Sequence, residues 1–150
     1  MKQVLALLVM LVPVIGLSQQ PVQWNFRAEK VKPNQYKVYV TAKIQSGYHV
    51  FALTQPEDAI ATPTRISFTS NPVVNEISSF TEEGVLKKER DETLDIESWH
   101  YSDVVNFIGV VTLKSSKAKT LLAGQVEFQV CSEDRCYPPT KVNFTLPLNH

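Results

Sequence analysis

Tyr36-Lys37-Val38-Tyr39-Val40-Thr41-Ala42-Lys43-Ile44 alternates at every step, with Tyr36, Val38, Val40, Ala42 and Ile44 in one set and Lys37, Tyr39, Thr41 and Lys43 in the other. A period of two sends the sets to opposite faces of an extended chain, so the segment reads as a half-buried strand. Gln45-Ser46-Gly47 ends it with turn chemistry, and Tyr48 to Leu53 reads as the next strand. Outward from this pair, β-rich stretches run over Val22 to Ala28, Thr64 to Thr69, Val73 to Ser78, Val104 to Leu113, Leu122 to Val130 and Lys141 to Leu146. Their separators are Lys32-Pro33-Asn34, Asn71-Pro72, Glu83-Gly84 and Ser115-Ser116-Lys117. No stretch carries a helical period. Roughly seven to nine short strands that are each half apolar bury their faces by stacking two sheets, which predicts an all-β, immunoglobulin-like antiparallel β-sandwich.

Two segments break the rhythm. Thr54 to Thr64, with Pro56, Glu57, Asp58 and Pro63, reads as a long connection, and Lys87 to Ser102 mixes charges and aromatics without a two-residue period and reads as a second loop. Trp24 and Trp99 are expected as packing residues, because the widely spaced Cys, Trp, Cys pattern of an ordinary immunoglobulin domain is absent.

The amino terminus is a targeting segment by composition. Met1-Lys2-Gln3 is short and basic, Val4 to Leu17 is almost continuously apolar, and Gly16-Leu17-Ser18 supplies small residues for cleavage before Gln19. The apolar run is shorter than the ~20 residues of a spanning helix and contains Pro13, so the reading is a signal peptide over 1–18 and a single exported domain over 19–150, without membrane insertion of the mature chain. The 15 Lys plus Arg balance the 15 Asp plus Glu, which leaves no global field to favour nucleic acid or an anionic membrane.

The only two cysteines stand in Val130-Cys131-Ser132-Glu133-Asp134-Arg135-Cys136-Tyr137-Pro138-Pro139. Val126, Phe128 and Val130 alternate with Gln125, Glu127 and Gln129, so a continuous strand puts Cys131 with the polar set, facing away from the main core. A disulfide closing a ring of six residues removes little unfolded-chain entropy, roughly 2 kcal/mol, and short exposed disulfides are the more reducible kind. A redox pair, a structural hairpin clip and a metal site are all compatible with this spacing. Zinc needs more ligands than the two cysteines, so His49 and His100 would have to converge on them by folding. The methionines a copper carrier would use, Met1 and Met10, leave with the signal peptide. Glu133 and Asp134 disfavour a thiolate whereas Arg135 favours it.

Cys131 to Cys136 followed by Tyr137-Pro138-Pro139, with Val142, Phe144 and Leu146 on a last strand, resembles the amino-terminal periplasmic domain of the thiol:disulfide interchange protein DsbD. Ser46-Gly47-Tyr48-His49-Val50-Phe51 looks like that domain's Gly-aromatic strand, and Tyr101 to Leu113 like the strand after its cap loop. The resemblance spans roughly Val22 to Pro147. It implies a relay with no cofactor beyond its redox-active disulfide. The electron donor is a thioredoxin-like domain fed by a membrane thiol transporter, and the acceptor is an exported disulfide isomerase or other thiol protein. On that carry-over Cys136 forms the mixed disulfide and Cys131 resolves it. Pro138 and Pro139, without amide hydrogens, either hold Cys136 at a sheet edge or simply form a strand-breaking turn. The matching cap segment is Asp91-Glu92-Thr93-Leu94-Asp95, where Thr93 and Leu94 stand in place of the covering aromatic, so Leu94, Trp99 or Tyr101 is left to shield the pair. His49 and Phe51 fall where the family places aromatics beside the cysteines. The chain ends at His150, so such a relay meets its donor as a separate molecule. The rival reading is an exported sandwich that binds a protein or glycan and uses the disulfide as a clip.

Overall fold

The computed structural model describes residues 20–149; the signal-peptide reading lies outside the described residues. Within them there is no helix, and the twelve strands pair antiparallel throughout.

The strand that opened the sequence reading is β2 (Gln35–Ile44), the second strand of the largest sheet. It pairs with β1 (Val22–Lys32) on one side and with β9 (Val104–Leu113) on the other. β5 (Val74–Ile77) and β6 (Thr81–Gly84) share the far edge of β9. Tyr36, Val38, Val40, Ala42 and Ile44 are all buried, as are Val105, Phe107, Val111 and Leu113 of β9. The facing sheet is β12 (Thr140–Leu148), β10 (Thr120–Phe128) and β4 (Arg65–Phe68), and it contributes Leu122, Val126, Phe128, Phe144, Leu146 and Leu148. Aromatics lock the two layers: Trp24 meets Phe128 at 4.9 Å between ring centroids, and Phe26 stacks on Phe144 at 4.1 Å. Phe144 also lies across its cross-strand partner Gly124, where an added Cβ would stand 2.4 Å from the ring. Only a residue without a side chain fits there.

A third, smaller sheet closes one end of the sandwich in the order β11 (Val130–Ser132), β3 (Tyr48–Phe51), β8 (Ile96–Tyr101), β7 (Lys87–Asp91). Gly47, at φ +84°, makes the turn that carries the chain from β2 into it. Two expectations are corrected here. Lys87 to Ser102 is a hairpin and not a loop, and its first strand left no period to read because every residue of β7 is exposed. Such a charged edge strand protects the sheet from further pairing. Leu122 to Val130 is also not one strand. The chain leaves the β10–β12 pairing after Phe128, passes Gln129 and enters the small sheet at Val130, so two successive residues, Val130 and Cys131, are both buried. Thr54 to Thr64 is a strandless connection as expected.

Candidate functional site

The two cysteines occupy the outer arm of the small sheet. Cys131 lies opposite Cys136 in an antiparallel bridge, with Ser132 N–H donating to the Arg135 carbonyl and Tyr137 N–H donating to the Val130 carbonyl, both at 2.8 Å. That pattern makes Cys131 and Cys136 a non-hydrogen-bonded pair, the position on an antiparallel ladder where facing side chains come closest. Their α-carbons are 4.0 Å apart and the sulfurs are bonded. The turn at the tip is Glu133-Asp134, both exposed.

The two sulfurs are not equivalent. Cys131 is 1% exposed whereas Cys136 is exposed to solvent. Cys131 nevertheless stands outside the main core cluster, so its side chain does face away from the core, but into a covered groove and not into water. Its burial comes from the break at Gln129, which a strict two-residue period does not show.

The face of the small sheet that carries Cys131 has a definite order. Cys131 lies opposite His49, Phe51 opposite His100, and His100 opposite Lys87. Alternation puts Val130, Val50 and Tyr101 on the other side, in the core. On the site face His49 stands 5.5 Å from Phe51 and 4.3 Å from His100 between ring centroids. The histidines that a metal site would require thus converge on each other beside Cys131, yet among the described residues no group of three or more His, Cys, Asp or Glu is placed to hold a metal ion. Burial, with His100 second, pushes the His49 imidazole down to about 4. Burial also lowers His100, whose Nδ1 has no hydrogen-bond partner and stands 3.9 Å from Glu89 Oε2. Both rings are neutral at pH 7 on these shifts.

A groove of about 430 Å³ opens over the disulfide and is lined by Cys131, Cys136, His49, Phe51, Leu94 and Ile60 among others. The cap segment Asp91 to Asp95 is the turn of the β7–β8 hairpin, closed by Thr93 and Leu94 N–H groups donating to Asp91 Oδ1 and by an Arg90–Asp95 ion pair. Asp91 and Leu94 reach the groove. Glu92 lies on the same turn, exposed. Of the three candidates for shielding, only Leu94 lines the groove. Tyr101 is buried in the core, and Trp99 packs against that core with the Lys88 ammonium 4.3 Å from its ring.

Tyr137 follows Cys136 directly and is half-buried, packed against the core cluster. Arg135 donates to its hydroxyl at 2.8 Å and lies 4.6 Å from the ring centroid, so the cation is held by Tyr137. That hydrogen bond, with a second involving Tyr48, lowers the Tyr137 phenol, and the hydrogen bond to Tyr137 raises the Tyr48 phenol. Pro138 and Pro139 are exposed just before β12 and cannot donate to a neighbouring strand.

Sequence reasoning missed the far wall of the groove, made by Ile60 and Ala61 of the long connection. Its one visible signal was the apolar triplet Ala59-Ile60-Ala61 inside a polar, proline-bounded loop. Side-chain amides hold this loop in place. Gln55 bonds both the N–H and the C=O of Trp99, at 3.0 and 2.7 Å, as a strand residue would. Gln129, at the break between strands, accepts from Thr62 N–H and donates to the Tyr137 carbonyl.

An immunoglobulin-like sandwich with a cross-strand disulfide on an end sheet is the class these features define. By sequence, no family model and no curated protein matches the chain. By structure, it is similar to the DsbD amino-terminal domain of Neisseria meningitidis, solved in its reduced form, with a TM-score of 0.52, 17% identity, and 83% of this chain and 86% of that one covered. It is also similar to the amino-terminal periplasmic domain of ScsB from Proteus mirabilis, with a TM-score of 0.61, 19% identity, and 85% of this chain covered against 46% of that one. The chain has the fold of a DsbD-like amino-terminal domain.

Proposed function

We propose that the chain is an exported thiol:disulfide exchange module that passes reducing equivalents through Cys131 and Cys136, from a membrane-linked thiol reductase to exported disulfide proteins. The observation that carries this reading is the asymmetry of the pair: an exposed Cys136 and a buried Cys131, bonded across a short hairpin on a DsbD-like sandwich. Exchange needs one sulfur that a partner can approach in line and a second held close enough to release that partner.

In the forward step a donor thiolate attacks Cys136 Sγ, the Cys136–Cys131 bond breaks, and its electron pair leaves on Cys131 Sγ. In the productive direction a second donor thiol attacks the donor sulfur of the mixed disulfide, expels Cys136 as a thiolate and leaves the chain as a dithiol; attack by Cys131 on Cys136 Sγ instead re-forms the internal disulfide, expels the donor as a reduced thiolate and reverses the step. The dithiol reduces an acceptor disulfide by the same two exchanges, with Cys136 attacking and Cys131 resolving. Leu94, Ile60 and Phe51 supply an apolar floor and rim against which a partner's active-site surface excludes water. Export follows from the basic and apolar start of the chain, with cleavage near Ser18.

Trapping tests the reading. Cys131→Ser leaves the mixed disulfide of Cys136 with an acceptor unresolved, so it should accumulate a covalent complex with an isomerase-like acceptor, or with a thioredoxin-like donor whose own second cysteine is replaced, and Cys136→Ser should accumulate much less. Equal trapping by both overturns the assignment of roles. Absence of trapping by either supports a binding module with a structural clip.

A further inference from the structure

We infer that His49 is the redox-linked proton acceptor of this site: it takes up a proton when the disulfide opens and holds Cys131 as a thiolate paired with its imidazolium. The inference rests on the exchange reading above.

The argument begins with burial. Opening the disulfide places the leaving electron pair on Cys131, which is 1% exposed. A charged sulfur there has lost water and needs a compensating charge or a proton. His49 lies directly opposite Cys131 on β3, and directly opposite residues of an antiparallel pair have Cβ atoms about 4.5 to 5.5 Å apart. His49 also lines two separate grooves. One is the apolar groove over the disulfide, and the other is a polar opening of about 750 Å³ bordered by Lys87, Glu89, Ser132 and Glu133. The residue therefore borders the sulfur's groove on one side and the polar opening on the other, as a proton carrier requires.

The groups around it set the sign. In the disulfide form His49 faces His100 and Lys87, which disfavour its protonation, and Glu89, which favours it; Asp91 and Cys136 share the sulfur-side groove and Glu133 the polar one. Burial outweighs the acids, and the ring is neutral. A thiolate on Cys131 adds a negative charge next to it and raises its proton affinity. The step balances: donor thiolate plus disulfide plus one proton from water gives the mixed disulfide, a Cys131 thiolate and a protonated His49. The donor sulfur supplies the electron pair of the new S–S bond, the pair of the broken bond stays on Cys131, and one proton enters the imidazole; the two-electron reduction is complete after the second exchange.

The experiment is a histidine NMR titration of the wild-type chain in its disulfide form and after reduction with a phosphine. His49, at about 4 in the disulfide form, should titrate at about 7 or above in the reduced form, a rise of about three units and the upper end of the effect of an opposite charge. Each unit that the pairing lowers the thiol raises its thiolate fraction tenfold and costs about threefold in nucleophilicity, a net gain of about threefold. His49→Gln should therefore slow displacement of glutathione from a preformed Cys136–glutathione mixed disulfide by about threefold or more at pH 7, with the loss shrinking above the thiol pKa. A purely packing role predicts a pH-independent change. A His49 that stays neutral at pH 7 in the reduced form, or a pH-independent effect of His49→Gln, overturns the inference. Failure of the exchange reading shows separately, as absence of trapping by Cys131→Ser while the titration difference persists.

Discussion

Reducing the disulfide should leave the sandwich folded, and the size of the loss is set by the ring it closes. Cys131 and Cys136 are five residues apart, so the bond restrains a ring of six residues in the unfolded chain. The loop-entropy relation then gives about 2 kcal/mol at 25 °C, a factor of about 30 in the folding equilibrium. Against this, reduction removes no backbone bond of the hairpin, no member of the core cluster and no contact between the two large sheets. Urea unfolding followed by tryptophan fluorescence, with and without a phosphine reductant, reads the difference. With a slope of about 2 kcal/mol/M for a domain of this size, the midpoint should fall by about 1 M while the slope stays constant. Cooperative unfolding on reduction in the absence of urea, or a loss above about 4 kcal/mol, refutes the reasoning and marks the bond as a structural clip.

Three further outcomes are expected. Gly124→Val drives its Cβ into the Phe144 ring and should destabilise the fold by about 1–3 kcal/mol in the same urea assay, with the cysteine pair unaffected because Gly124 belongs to the other sheet. Leu94→Asp replaces a side chain that is 61% exposed at the mouth of the groove, so stability should hold within about 0.5 kcal/mol while trapping of a thioredoxin-like partner by the Cys131→Ser chain slows. Because His49 and His100 are depressed below the ordinary histidine value, the unfolded chain binds more protons than the native one between about 6.5 and 4, and stability should fall as pH drops through that window. Glu82, raised by burial, has the opposite sign, with stability lost as pH rises through its folded value, so the acid limb should flatten in His49→Gln when thermal midpoints are compared from pH 7 to 4.

How much could be read beforehand depended on burial. Val104 to Leu113 coincides with β9, and β2 differs from its expected span by one residue, because strands that bury one face carry the period that marks them. β7 buries nothing and was invisible. The cysteine pair was legible from its local motif, and its neighbours His49, Phe51 and Leu94 were reached only through the family resemblance. Ile60 and Ala61 reach the same groove through a loop held by Gln55 and Gln129, and amide contacts over such separations leave no local pattern. The burial of Cys131 depended likewise on the change of sheet at Gln129.

The hairpin that holds the sulfurs is fastened without them. Its two backbone bonds and the three-residue pairing of β11 on β3 fix Val130 to Ser132 whether or not the sulfurs are joined. In a thermodynamic cycle the stabilisation that a disulfide gives a fold equals the stabilisation that the fold gives the disulfide. A coupling of about 2 kcal/mol corresponds, for two electrons, to about 40 mV. Folding therefore makes this pair only slightly harder to reduce than the same hexapeptide ring in an unstructured chain, and the poise of the couple is left to the few groups that touch the sulfurs. Substitutions in the groove can retune the electron affinity without taxing the sandwich beneath, and substitutions in the core can change thermal tolerance without moving the potential.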